Sequence, residues 1–239
     1  MKNEDAHQFL FYTPALERKA KTIDLERDDH HHLTRVLRMK PGETAYASNG
    51  RGLIAQCEVS NVQRNRTTLR VVKALPPQGN MRAATLALAC TKKDAFETVV
   101  KQCTELGVTR FVPVTADRSH RSVYSAAFLR KLGRIGVSAM KQSFRATVPV
   151  IGEVIDMDSL LDSFKEYDRV VVGDPSGEPL ESSGSGSVLV VVGPEAGFSR
   201  VERARFRESE ATLCAISSQR LRSETAAAAI TAILLAPGR

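Results

Sequence analysis

Two short runs near the C-terminus hold the residue types that chemistry needs: GPEAGFSRVE from Gly193 and LRSETAAAA from Leu221. Each follows an apolar, β-branched stretch, VLVVV from Val188 and TLCAI from Thr212, so each reads as a buried strand opening onto a turn. In the first run Gly193 lets backbone pass close to a ligand, Pro194 stops the strand, and Ser199 with Glu202 matches the S-x-x-E capping box of a helix start. In the second run Ser217 to Arg222 form the turn, and Ser223 is placed to cap an alanine-rich helix beginning at Glu224. Two strand ends that feed helix starts can aim two sets of backbone N–H groups at one ligand. Arg222, Glu195 and Glu224 are ionisable side chains carried by these turns and helix starts. Each feature also has a plain structural reading. A Gly-Pro turn after a strand is ordinary punctuation, and a glutamate in a first helical turn suits the helix dipole.

The elements that must position these turns are legible upstream. From His7 to about Leu75, the stretches HQFLFY, TIDL, ETAYAS, LIAQCEV and TTLRVVKAL alternate with turns such as Pro41-Gly42, the pattern of a small antiparallel barrel or sandwich. A helix interrupts it: in DDHHHLTRVLRMK, Asp28 or Asp29 can cap, Leu33, Val36 and Leu37 face the barrel, and Arg35 and Arg38 share the outer side. His30, His31 and His32 point about 100° apart on such a helix and do not converge on a metal ion. LPPQGNM, residues 75 to 81, reads as a linker, giving domains 1–75 and 76–239. Beyond it, ATLALAC, DAFETVVKQCTELG and TRFVPVT alternate as strand, helix and strand, the signature of a parallel α/β sheet. Asp94 and Glu97 suit the first turn of that helix, Phe96, Val99, Val100, Cys103 and Leu106 form its apolar stripe, and Gly107 ends it. RVVVGDPSGEPLESSGSGS reads as a strand ending at Gly173, followed by a long loop inside the sheet domain.

Net charge is +7 and the isoelectric point near 9.4, which favours a phosphate-rich partner, nucleic acid first. Arg118 and Arg121 lie in a polar loop, and Arg130, Arg134, Lys141 and Arg145 project within ~60° of one another on a long helix from about Ala126 to Phe144. That stripe reads either as an ordinary solvated face or as a rail for an RNA backbone. The four cysteines contain no C-x-x-C pair, against a zinc site or a disulfide framework. Apolar runs are far below the ~18 residues of a membrane span, and Met1 to Asp5 lack the apolar core of a secretion signal, so a cytoplasmic location is expected.

Taken together, GPEAGFSRVE and IxxxxLRSETAAAA resemble the paired GPEGGxxxxE and LGxxxLRxETA signatures of the RsmE-type family, bacterial 16S ribosomal RNA uridine-N3 methyltransferases of the SPOUT superfamily. HHLTRVLRMKPGE, DAFETVVKQCTELGV and AMKQSFRATVP resemble further family segments in the same order, from about residue 7 to 235. The resemblance implies a PUA-like β-barrel, an α/β SPOUT domain with a deep trefoil knot at roughly residues 169–235, a homodimer, and S-adenosylmethionine as cofactor. Its implied partner is the 16S rRNA of the small ribosomal subunit, with no metal and no membrane. Gly173, Val192, Gly193, Pro194, Ile216, Ser217 and Leu221 are then expected around the cofactor, Arg222, Glu195 and Glu224 at the reacting base, and Arg35, Arg38, Arg118, Arg121, Arg134, Lys141 and Arg145 along the RNA. Ala196 and Ser217 stand where the family has glycine, Gln219 and Arg220 replace an arginine and an aliphatic residue, and Lys141 replaces a common glutamate. The first two substitutions leave open a second reading, an RNA-binding or ribosome-assembly protein that has lost catalysis on the same fold.

Overall fold

A computed structural model of the chain describes residues 9–77, 83–120, 124–181 and 186–236. The expected loop from Ser182 to Ser187 falls largely outside them, as does Arg121. The chain divides into two compact units, Met1–Gly79 with Met140–Val148, and Asn80–Ala139 with Pro149–Arg239. Residues 140–148 thus group with the N-terminal stretch, although the sequence reading runs its second domain unbroken from 76.

In the first unit all five expected strands form: β1 (Leu10–Tyr12), β2 (Thr22–Glu26), β3 (Thr44–Ser48), β4 (Ile54–Val62) and β5 (Arg66–Ala74), in the order β1-β3-β4-β5-β2. Alternation drives the packing. Ile23 and Leu25 of β2 turn inward with Leu33, Val59 and Leu69, while Thr22, Asp24 and Glu26 face water. One pairing departs from the antiparallel expectation: β1 lies parallel to β3. The two are joined through β2 and a helix instead of a hairpin, which gives the chain length for a parallel crossover.

The helix after β2 also differs. α1 (Arg27–His31) has no side-chain cap, with Asp28 and Asp29 inside its first turn, and it widens into a π-helical turn over His32–Val36. There the Leu37 N–H reaches the His32 carbonyl at 3.0 Å, an i to i+5 bond that rotates the following residues relative to a regular helix. Leu33 is buried, but Val36 is 60% exposed, and Arg38 lies beyond the helix with φ +54°, so Arg35 and Arg38 share no helical face.

The second unit is a three-layer α/β structure. Its parallel sheet runs β12-β10-β11-β6-β7-β8, with β9 pairing β7. The strands are β6 (Ala84–Ala89), β7 (Arg110–Thr115), β8 (Val150–Ile151), β9 (Ile155–Asp156), β10 (Arg169–Pro179), β11 (Val188–Val192) and β12 (Thr212–Ala215). Every residue of the central strands β6 and β11 is buried, as expected where both faces are covered. Leu86, Leu88, Val190 and Val192 point to one face, against Phe96 and Val100 of α2 (Lys93–Leu106), Leu132 of α3 (Ala126–Gln142) and Ile230 of α6 (Ser223–Leu235). Ala87, Ala89, Leu189 and Val191 point to the other, against Leu160 of α4 (Met157–Asp162) and Phe206 of α5 (Arg200–Glu208).

Gly107 ends α2 with φ +120°, as the sequence predicts, though Leu106 is 37% exposed instead of completing the apolar stripe. α3 stops at Gln142 and Phe144 turns left-handed at φ +55°, so Arg145 is not on the helix. Arg145 is buried, only 5% exposed, which removes it from the basic stripe. Among the described residues no helix is long and apolar enough to cross a membrane.

Candidate functional site

Three loops leave the C-terminal edge of β10, β11 and β12, the edge where open α/β sheets place their ligands. The first is a bulge. β10 does not end at Gly173: it pairs with β12 up to Gly173↔Cys214, bows out over Asp174 to Gly177, and pairs again at Glu178↔Cys214 and Pro179↔Ala215. Gly177 permits this, since a Cβ there would lie 2.4 Å from the Leu213 carbonyl carbon and oxygen. Within the bulge the buried Asp174 carboxylate accepts from the Ser176 N–H at 2.9 Å and from its hydroxyl at 2.6 Å.

The second loop follows β11. Gly193 and Pro194 are buried, Glu195 and Ala196 exposed, and the Gly197 N–H closes a turn onto the Pro194 carbonyl at 2.8 Å. The left-handed position of this turn is Gly197, at φ +68°, while Ala196 has no positive φ. The alanine that replaces a family glycine therefore sits without backbone strain. The capping box forms as read: Ser199 Oγ accepts from the Glu202 N–H, and the Glu202 carboxylate accepts from the Ser199 N–H at 2.7 Å. Its other oxygen accepts from the Asp117 N–H at 2.8 Å, tying in the loop after β7.

The third loop runs from Ile216 to Arg222. Ser217, the other replaced glycine, accepts from the Gln219 N–H at 2.9 Å and builds the turn with its hydroxyl. Ser223 does not cap α6. The cap position is Arg222, with no side-chain cap bond, and the Ser223 hydroxyl donates at 2.9 Å to the Gly193 carbonyl of the second loop.

These loops enclose a cavity of about 500 Å³, within the range of small-molecule sites. All seven residues predicted around a cofactor, Gly173, Val192, Gly193, Pro194, Ile216, Ser217 and Leu221, line it, with Ala226 and Ile230 of α6 beneath. Its floor depends on a missing side chain at Gly173, where a Cβ would lie 2.7 Å from Ile230 Cδ1; behind the cavity a Cβ on Gly193 would lie 3.1 Å from the Phe198 ring. Apolar lining from Val192, Ile216, Leu221, Ala226 and Ile230 suits a flat heteroaromatic ring, such as the adenine of a nucleoside cofactor.

A second cavity of about 580 Å³ shares Glu195, Arg220 and Leu221 with the first, and is completed by Arg222, Glu224, Lys92 and the first turn of α2. Arg222 is 83% exposed and loosely paired with Glu224 at 3.9 Å. Sequence reasoning missed Lys92, which is visible in the sequence only as a lysine just before a helix start.

The residues expected along RNA are placed separately. Arg118 donates to the Ala196 carbonyl at 3.1 Å, beside the second loop. Arg134 is exposed on α3, and Lys141 pairs with Asp29 at 2.7 Å. In the first unit Arg35 lines a groove with Arg27, Arg64 and Arg66, while Arg38 is exposed past the helix end. Among the described residues no group of three His, Cys, Asp or Glu side chains is placed to hold a metal ion.

A parallel sheet carrying such a cavity, together with a small basic β-rich unit, defines a class, and the comparisons name it: residues 78–235 match the RNA methyltransferase domain and residues 25–72 the RNA methyltransferase PUA domain. The fold is accordingly an N-terminal PUA-like domain followed by a SPOUT-type methyltransferase domain. The chain is 30% identical over 237 residues to ribosomal RNA small subunit methyltransferase E of Aquifex aeolicus, covering 95% of this chain and 98% of that one. It is 27% identical to the protein of that name in Bacillus subtilis, with 91% of each covered. A crystal structure of ribosomal RNA small subunit methyltransferase E from Neisseria gonorrhoeae, bound to S-adenosyl methionine, matches with a TM-score of 0.85, 26% identity and 95% and 96% coverage. The chain belongs to the ribosomal RNA small subunit methyltransferase E family.

Proposed function

We propose that this chain binds S-adenosylmethionine in the three-loop cavity and methylates N3 of a uridine in the 16S rRNA of the small ribosomal subunit. The observation that carries this is the convergence of both signature runs, GPEAG and LRSETA, on one cavity that opens beside a second one bearing Arg222, Glu195 and Glu224. The residues present fit the cofactor: glycine-floored apolar walls for the adenosine, and backbone groups of Ile216 to Leu221 at its edge. When bound, S-adenosylmethionine supplies an electrophilic methyl group on a positively charged sulfur.

The chain's own residues must then make uracil N3 nucleophilic. N3 carries a proton, and its loss spreads negative charge onto the flanking ring oxygens. Arg222, exposed and only loosely engaged, is free to place its guanidinium on those oxygens. Glu195 lines both cavities and takes the N3 proton on its carboxylate as the N3–CH3 bond forms and the S–CH3 bond breaks. Glu224 lines only the second cavity and sits 3.9 Å from Arg222, which suits it to orienting the guanidinium. The basic groove of the first unit and Arg134 on α3 supply phosphate contacts to the RNA. The first unit acts as the RNA-presenting domain and the second as the methyltransferase domain, cytoplasmic with its ribosomal substrate. A trefoil knot within residues 169–235 is supported by the strand order: the chain reaches β12 at the sheet edge, yet α6 packs back against α2 and β11. A homodimer follows from the resemblance and is checked by light scattering. The catalytically silent reading loses its footing, because Ala196 is unstrained and Ser217 rebuilds its turn.

The deciding experiment is mass spectrometry of 16S rRNA from cells with and without the gene. A 3-methyluridine that disappears with the gene and returns on methylating purified small subunits with this chain supports the proposal. An unchanged methylation pattern sinks it.

A further inference from the structure

Arg118 and Arg220 are exposed arginines on a basic chain, and their plainest reading is contact with RNA phosphates. The geometry points elsewhere. Arg220, on the third loop, donates its Nη2 to the Glu195 carbonyl at 2.6 Å. Arg118, on the loop after β7, donates its Nη1 to the next carbonyl, Ala196, at 3.1 Å. We infer that the two arginines are positioning residues that hold the second loop in the shape the cofactor cavity needs.

Three observations converge on this. The turn they grip is closed by the Gly197 N–H bond to the Pro194 carbonyl, but its tip is not packed into the core, since Glu195 and Ala196 are both exposed. A peptide group is planar and trans, so fixing the Glu195 carbonyl toward Arg220 fixes the Ala196 N–H in the opposite direction. The same carbonyl held by nothing leaves that N–H without a set direction. Finally, the loop that carries Arg118 is itself tied to the gripped segment: the Glu202 carboxylate, buried in α5, holds both the Asp117 N–H beside Arg118 and the Ser199 N–H just past the turn. Charge-assisted bonds from planar guanidinium groups are the side-chain contacts best able to hold an exposed turn in one orientation. Arg220 also borders both cavities, so its bond spans the boundary between the cofactor cavity and the one that carries Arg222.

The inference rests on the proposed function, and the experiment separates the two. S-adenosylhomocysteine binding is measured by calorimetry, and methyl transfer to purified small subunits by steady-state kinetics, for the full chain and for Arg118→Ala, Arg220→Ala, Arg118→Lys, Arg220→Lys and the double alanine variant. Each alanine variant is expected to raise the S-adenosylhomocysteine Kd and the S-adenosylmethionine KM about tenfold, with kcat at saturating cofactor, KM for subunits and melting temperature little changed. The double variant falls short of the product of the singles, since both bonds hold one turn. Lysine, a single-point donor, restores part of the loss. Unchanged cofactor affinity with weakened, less salt-dependent subunit binding would make them RNA contacts and overturn the inference. A parallel fall in cofactor affinity, subunit affinity and melting temperature would make them merely structural and overturn it as well. A wild-type chain that binds no S-adenosylhomocysteine would overturn the functional proposal itself, and this inference with it.

Discussion

The Ser223 hydroxyl donates to the Gly193 carbonyl at 2.9 Å, stitching the start of α6 to the end of β11. Both residues are buried. Ser223→Ala therefore leaves a buried carbonyl unpaired and is expected to lower stability by about 1–3 kcal/mol. Urea unfolding reads this as a lower midpoint at constant slope, whereas a helix-capping role would make Thr or Asp acceptable replacements. Ser223→Asp is expected to be worse than Ser223→Ala, since it places a carboxylate against the carbonyl.

Gly177 and Gly173 make a matched pair. A Cβ on Gly177 meets the β12 backbone at 2.4 Å, and a Cβ on Gly173 meets the tip of the Ile230 side chain at 2.7 Å. Backbone hydrogen-bonded into the β10–β12 ladder moves aside less readily than an isoleucine rotamer. Gly177→Ala is expected to cost about 1–3 kcal/mol and to loosen the first loop, and Gly173→Ala to cost less stability while filling the cavity floor. Denaturant midpoints and S-adenosylhomocysteine affinity, taken together, check the ordering; equal stability losses would contradict it.

The contrast between these residues and those the sequence reveals is one of range. The Ser199–Glu202 box, the Gly107 stop and the alternation of β2 depend on neighbours within a few positions, and each stands where the sequence places it. The two strand-turn units are legible in the same way, whereas the seven residues around the first cavity are expected only through the family resemblance. What the sequence misplaces depends on distant partners. Ser223 looks like a cap until Gly193, thirty residues away, is brought beside it. Arg145 continues a helical stripe on paper, yet the helix stops at Gln142 and the side chain is buried. The π-helical turn that exposes Val36 and the parallel pairing of β1 with β3 leave no short-range mark either.

The four cysteines are buried, and burial pushes the thiols of Cys57, Cys90 and Cys214 from 9.0 up to about 11 and that of Cys103 to about 12. Their folded values lie above the unfolded one. The stabilisation they lend is fully present below pH 9 and is lost as pH rises from there through 11 to 12, because the unfolded chain sheds those protons first. The Tyr124 hydroxyl, raised mainly by burial, acts in the same direction. Urea midpoints are expected to be flat from pH 7 to 8.5 and to fall by pH 10.5. Native protein at pH 8 should react slowly with a thiol reagent at all four positions, and rapid labelling of any would contradict the burial.

Arg222 and Glu195 separate binding from chemistry. The Arg222 side chain is 83% exposed with Glu224 at 3.9 Å, so Arg222→Ala is expected to leave melting temperature and S-adenosylhomocysteine affinity within about twofold of wild type. Its loss should appear in kcat for methyl transfer, by about a hundredfold or more if the guanidinium balances charge on the uracil oxygens. Glu195→Gln keeps shape but cannot take the N3 proton. It is expected to lower kcat by about a hundredfold at pH 7 and to recover as pH rises toward the point where the uracil ionises without help. Glu224→Gln, by contrast, should weaken activity without changing the shape of the pH profile, because its carboxylate acts through Arg222. A Glu224→Gln profile that shifts while that of Glu195→Gln stays like wild type would exchange the two roles.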